Sequence, residues 1–233
     1  MADAALKEIR EALSHGGLLP RTIFAVTADH GHVFDSTAKL AGVHGSLAEG
    51  VIRVPLAVSG PGIPAGKRVA APVSTLDLAP TLLELVGETG SPRVPDGRSL
   101  MPLVRGRDPK GELDSRPMVA EYRSPRFHLD GVRQRVPDMD LYAMDRDQHA
   151  LVLRGRKLRS DSRGKWVVHD LVADPDEGNS GWGETDEGRA AARELQSALD
   201  QWVAAHPLPA GSQDGASRAA SERVLSTIPP NWR

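Results

Sequence analysis

Thr22-Ile23-Phe24-Ala25-Val26-Thr27, followed at once by Ala28-Asp29-His30-Gly31-His32, decides how this chain is read. The first six residues form an apolar run rich in β-branched side chains. Such a run suits a strand covered on both faces, as in a parallel sheet. Before it, Ala5, Leu6, Ile9 and Leu13 recur at helical spacing, with Lys7, Glu8, Arg10 and Glu11 on the opposite side. Gly16-Gly17 ends that helix, since glycine readily takes the left-handed C-terminal position. Helix, short turn and buried strand make half of a βαβ unit.

Downstream, Ile52–Val58 is a second strand candidate, and Val69–Val73 a third. The segment between them, Ser59-Gly60-Pro61-Gly62-Ile63-Pro64-Ala65-Gly66, is rich in turn formers. Ser74 and Asp77 offer N-caps for a helix from Leu78 to Val86, closed by Gly87. Pro80 fits in its first turn, where a missing N–H costs little. From Pro117 the pattern changes. Short β-like pieces follow at Phe127–Val132, Ala150–Arg154 and Trp166–Leu171, which predicts a small antiparallel sheet. Gly188–Ala205 reads as an amphipathic helix, with Leu195, Leu199, Trp202 and Val203 on one face. The expected fold class is α/β, with part of a mostly parallel sheet flanked by helices. A small antiparallel sheet packed with a C-terminal helix follows it. The expected divisions are 1–110, 111–206 and an irregular tail over 207–233.

Composition narrows the function classes. With 29 Lys+Arg against 31 Asp+Glu over 233 residues, the net charge is −2, which argues against a generally basic nucleic-acid binder. There is no run of about 18 apolar residues, so no membrane span is expected. The opening MADAALKEIREAL mixes acids with bases and lacks the apolar stretch of a secretory leader. As written, the sequence predicts a soluble, cytoplasmic chain. Cysteine is absent, which removes disulfides, Cys-ligated zinc and a cysteine nucleophile.

The sharpest chemical signal is Asp29-His30-Gly31-His32. Ligands gather at the carboxyl ends of strands in open α/β sheets, and Asp and His there are natural oxygen and nitrogen donors to a cation. An Asp capping a helix beside a surface His would look the same. His44 taken alone reads as a solvated loop histidine. Glu49 and Arg53 read equally well as an ordinary surface pair, and Asp77 as a helix cap. His128, His149 and His169 read as packing or surface residues. Arg154, Arg156, Lys157 and Arg159 read as a solvated hairpin.

Taken together, the motifs resemble the sulfatase family of the alkaline phosphatase superfamily. The matching segments are TADHGH (27–32), HGSLAEGVIRVPLAVSGPGIPAGKRV (44–69), VSTLDLAPTLLELVG (73–87), DGRSLMPLVRG (96–106) and WVVHDLVADPDEGNS (166–180). The resemblance covers most of residues 5–205. It implies that Asp29 and His30 are the Asp-Asn/His pair that binds the active-site divalent cation. It puts His44 where many sulfatases carry a substrate-binding Lys that contacts the sulfate group. In phosphatase and phosphodiesterase branches, a His near here is instead a metal ligand. The implied cofactor is calcium first, or zinc or manganese if the chain is phosphoesterase-like. The implied substrate is a small-molecule sulfate ester, or else a phosphate ester, with neither nucleic acid nor membrane as partner.

Sulfatases attack with a formylglycine made from Cys or Ser in C/S-x-P/A-x-R. No Ser here has Pro or Ala two residues on and Arg four residues on. Ser115-Arg116-Pro117 comes nearest, with Val119 in place of the Arg. The family's early Asp-Asp metal pair is also missing. The sequence therefore predicts the C-terminal part of a sulfatase-like hydrolase, truncated or split. Little turnover is expected from it alone, and a separately encoded N-terminal half is a possible partner. A non-catalytic remnant or binding module is the third reading.

Overall fold

The computed structural model describes residues 2–32, 46–88, 96–107, 111, 115–124, 129–130, 133–134 and 144–207. Helix α1 spans Ala2–His15, with Gly17 at φ 64° just beyond its end. Strand β1 (Phe24–Thr27) follows. After α2 (Glu49–Ile52) comes β2 (Leu56–Ser59). Phe24 pairs with Ser59 and Thr27 with Leu56, so β1 and β2 run antiparallel.

This differs from the parallel sheet expected from the apolar run, since no parallel pair exists among the described residues. The reason is that apolarity on two faces does not encode strand direction. Residues directly opposite in an antiparallel pair share a face. In this register Phe24 and Val26 occupy one face, and Leu56 and Val58 the other. The pair is two-sided although each strand alternates half-buried with exposed positions.

Ser74 opens a 3-10 turn over Thr75–Asp77 that continues into α3 (Leu78–Leu85). The Ser74 hydroxyl accepts from the Leu76 amide, while the Asp77 carboxylate reaches back to the Ser74 amide at 2.9 Å. This is a reciprocal capping box. Asp77 does more than cap. Its other oxygen accepts from the Arg98 amide at 2.9 Å, and Arg116 pairs with it. Asp77 is fully buried. It thus ties α3 both to the turn before α4 (Met101–Val104) and to the approach to the second sheet. Residues 69–73 form no strand.

The second sheet has the order β3-β4-β5-β6, antiparallel throughout. Its strands are β3 (Met118–Tyr122), β4 (Gln148–Leu153), β5 (Arg156–Asp161) and β6 (Trp166–Asp170). Arg154 and Gly155 join β4 to β5, with φ of 49° and 72°. Positive φ at both central residues marks the tight hairpin turn whose twist matches its strands. The basic segment is thus a hairpin as expected, solvated at Arg154 and Arg156, but it runs into an inner strand on which Lys157 is buried and Arg159 partly so. The β-like piece at Phe127–Val132 falls mostly outside the described residues, and its described part, Leu129 and Asp130, is helical rather than extended; the tail beyond 207 lies wholly outside them.

Alternation along these strands divides the sheet into two faces. Leu151, Leu158 and Val168 lie in one row and pack under α5 (Asp186–Ala205) against Ala191, Ala192, Leu195 and Leu199. The helix begins with Thr185 accepting from the Gly188 amide, with Asp186 and Glu187 in the first turn, where acids suit the helix dipole. Val203, expected on the packed face, is 42% exposed. The opposite face of the sheet carries Lys157, Arg159 and His169, with Lys157 directly opposite His169.

Candidate functional site

Asp29 and His30 lie just past the C-terminal end of β1 and are both exposed. The His30 amide donates to Asp29 Oδ1 at 2.9 Å, which orients the carboxylate. His30 Nδ1 lies 2.8 Å from the Gly31 carbonyl oxygen. A carbonyl can only accept, so Nδ1 is the donor in this contact, and in the neutral ring Nε2 keeps its lone pair. Nε2 lies 3.8 Å from Asp29 Oδ2. Metal–ligand bonds of about 2.0–2.6 Å allow one cation to touch both atoms at that separation. Among the described residues, no group of three or more His, Asp or Glu could hold a metal ion. The pair thus fits part of a coordination shell. His44 lies outside the described residues.

Gly31 holds the pair in place. Its amide donates to the Val51 carbonyl of α2 at 2.7 Å. A Cβ on residue 31 would meet the Gly50 carbonyl oxygen at 2.2 Å, so only glycine permits this approach. The Asp29-His30 segment is therefore docked on α2.

α2 is in turn docked on the second sheet. The Glu49 amide donates to Glu177 Oε2 at 2.7 Å across 128 positions of sequence. Lys157 Nζ, fully buried, lies 2.7 Å from Glu49 Oε1 and 3.1 Å from Glu177 Oε1. Arg159 Nε is 3.5 Å from Glu177, and its guanidinium lies 3.4 Å from His169 Nε2. Glu49 is thus no surface partner of Arg53, and His169 is a member of a buried ionic cluster. Residue types alone did not reveal this cluster. The available signal was the alternation of β5, which sends Lys157 to the face opposite Leu158.

The turn after β6 presents Glu177. Asp174 accepts from the Gly178 and Asn179 amides at 2.9 Å each, and these bonds, Asn179's foremost, hold its carboxyl below the usual range. Glu177 itself sits at φ 56°, a left-handed conformation that a glutamate adopts only when its surroundings enforce it.

Burial, aided by Arg159 and Lys157, pushes His169 below the ordinary 6.5, against the opposing pull of Glu177 and Asp174. The folded state therefore binds fewer protons than the unfolded state as pH falls through 6.5. The resulting stabilisation is complete above that pH and is lost on acidification toward the lower folded value. Urea unfolding midpoints measured at pH 7.5 and 5.0 are expected to fall on acidification. His169→Gln should make that fall shallower. Parallel pH profiles for the two proteins would contradict this assignment.

A cavity of about 720 Å³ separates α1 from the β1–β2 pair, lined by Leu6, Lys7, Arg10, Phe24, Val26 and Ala57. Neither Asp29 nor His30 lines it. Ser115, the nearest match to the sulfatase nucleophile pattern, donates to the Gly111 carbonyl at 2.7 Å and sits beside the structural Arg116. No described helix is long and apolar enough to cross a membrane.

Residues 1–88 match the Sulfatase family model. Arylsulfatase K of Xenopus laevis is 35% identical over 127 residues, 54% of this chain and 23% of that protein. Steryl-sulfatase of Mus musculus is 37% identical over 123 residues, 47% of this chain and 20% of that protein. The chain therefore spans less than a quarter of the length of either relative. Among solved structures, a protein in complex with its substrate D-glucosamine-2-N,6-O-disulfate superposes over 86% of this chain and 38% of its own, with TM-score 0.68 and 22% identity. The phosphonate monoester hydrolase of Agrobacterium radiobacter superposes over 85% of this chain and 39% of its own, with TM-score 0.64 and 25% identity. An α/β fold with an antiparallel four-stranded sheet is common ground between this chain and those neighbours. Sequence motifs, relatives and fold agree, and over the part that it spans the chain is similar to sulfatases.

Proposed function

We propose that this chain supplies a metal-binding segment for the hydrolysis of a sulfuric ester, with Asp29 and His30 as ligands and His44 as a contact to metal or sulfate. The observation that carries this reading is the convergence of Asp29 Oδ2 and His30 Nε2 to 3.8 Å, inside the segment matched to the family. A bound divalent cation, calcium in the first instance, contributes Lewis-acid stabilisation of charge on the ester oxygens. The chain's own residues prepare the donors. The Gly31 carbonyl selects the His30 tautomer, and the His30 amide turns the Asp29 carboxylate toward Nε2.

Attack on the ester needs a nucleophile. The sequence holds no Cys and no Ser in the required pattern, so we assign the attacking group to polypeptide outside this sequence, in the same or a separate chain. The groove between α1 and the β1–β2 pair gives such polypeptide a surface to cover. On this reading the isolated chain turns over little substrate.

A specific observation favours a second reading, hydrolysis of a phosphate or phosphonate ester. His30 offers an imidazole nitrogen, a donor better suited to zinc or manganese than to calcium. Calorimetric titration of the chain with Ca²⁺ and with Mn²⁺ tests both. Asp29→Ala should weaken binding by at least the roughly tenfold that loss of even an outer-shell partner causes. Preference for Mn²⁺ over Ca²⁺ would favour the phosphoester branch. Absence of binding by either ion would leave a non-catalytic module as the better description.

A further inference from the structure

We infer that Glu177 is a positioning residue for the Asp29-His30 pair, acting from the second sheet through α2. The path is continuous. Glu177 Oε2 accepts from the Glu49 amide at the start of α2, and the Val51 carbonyl of α2 accepts from the Gly31 amide, each at 2.7 Å. The Gly31 carbonyl then accepts from His30 Nδ1.

Three features make this a device rather than an incidental contact. α2 is only four residues long and its N-cap, Ala48, has no side-chain cap bond, so the helix depends on outside partners. Lys157 and Arg159 lie 3.1 and 3.5 Å from the Glu177 carboxylate, and its side chain is only 4% exposed. Its backbone occupies the left-handed region, a strained conformation that persists only where the surroundings over-determine it.

The term "positioning" rests on reading Asp29 and His30 as ligands, so the test has a part that is independent of any metal. Amide hydrogen exchange is measured on the full chain and on Glu177→Ala, at Gly31 and at Leu195 and Leu199 of α5. Gly31 is expected to exchange at least about tenfold faster in the variant, while both α5 amides stay within about twofold. Glu177→Gln keeps an acceptor oxygen and should restore most of the Gly31 protection. In parallel, Mn²⁺ affinity should fall at least about tenfold in Glu177→Ala, the range seen for outer-shell partners. Unchanged Gly31 exchange overturns the inference. So does an equal acceleration in α5, which would make Glu177 a general stability residue. So does faster Gly31 exchange with unaltered Mn²⁺ affinity. If the parent chain binds no Mn²⁺, the metal reading fails instead, and Gly31 exchange alone decides whether Glu177 holds this segment.

Discussion

Lys157→Met is expected to destabilise the protein by about 3–5 kcal/mol, the cost of removing one partner from a buried ion pair. Lys157 is fully buried, and two carboxylates close on its ammonium at 2.7 and 3.1 Å. Methionine fills similar volume, so the loss is mainly electrostatic. It leaves Glu49 and Glu177, 13% and 4% exposed at their side chains, facing one another. Arg159 compensates in part, at 3.5 Å from Glu177. Domains of this size carry only about 5–15 kcal/mol in total, so the shift in urea midpoint will be large. Replacing all three residues together, Lys157→Met with Glu49→Gln and Glu177→Gln, should recover at least half of the loss, since no two carboxylates then face one another and Arg159, which loses its partner, is 26% exposed at its side chain. A loss for Lys157→Met alone of under about 1 kcal/mol would mean that water reaches this cluster and screens it.

The second large effect is expected at Asp77. Asp77→Ala removes a capping acceptor, the acceptor for the Arg98 amide and the partner of Arg116 in a single step. Stranding Arg116, whose side chain is 10% exposed, should cost about 3–5 kcal/mol. Losing the cap adds about 1 kcal/mol. Arg116→Ala strands the carboxylate instead and should cost a similar amount. The double variant should be less destabilised than the sum of the two, by about 1–3 kcal/mol of coupling. Chemical denaturation of the four proteins measures this directly. Strict additivity would show that Asp77 and Arg116 act separately.

These two clusters mark the boundary of what could be read from residues alone. β4, β6 and α5 were legible because their patterns are local. Leu195 and Leu199 recur at helical spacing, and Trp166–Leu171 is a short β-like run. Ser74 and Asp77 were legible as caps for the same reason. Strand direction at β1 was not legible, because an apolar run looks alike in parallel and antiparallel pairs. Lys157 and Asp77 as buried charges were not legible either. Their partners lie far along the chain, at Glu49, Glu177 and Arg116, and nothing in the spacing joins them. The Asp29-His30 pair stood out by residue type, but its docking on α2 through Gly31 depends on a contact that only folding creates.

The distance along the chain between Glu49 and Glu177 also sets an order of events during synthesis. Their contact closes a loop of 128 positions. At about 5–20 residues per second, Glu177 is made several seconds or more after Glu49. Throughout that interval α2 has no acceptor for its first amide, and the long loop contributes to a slow, high-contact-order closure. The segment carrying Asp29 and His30 is synthesised early yet takes its final place late. A ribosome that stalls between these points would hold a chain whose Asp29-His30 segment still lacks the anchor that Glu177 gives α2.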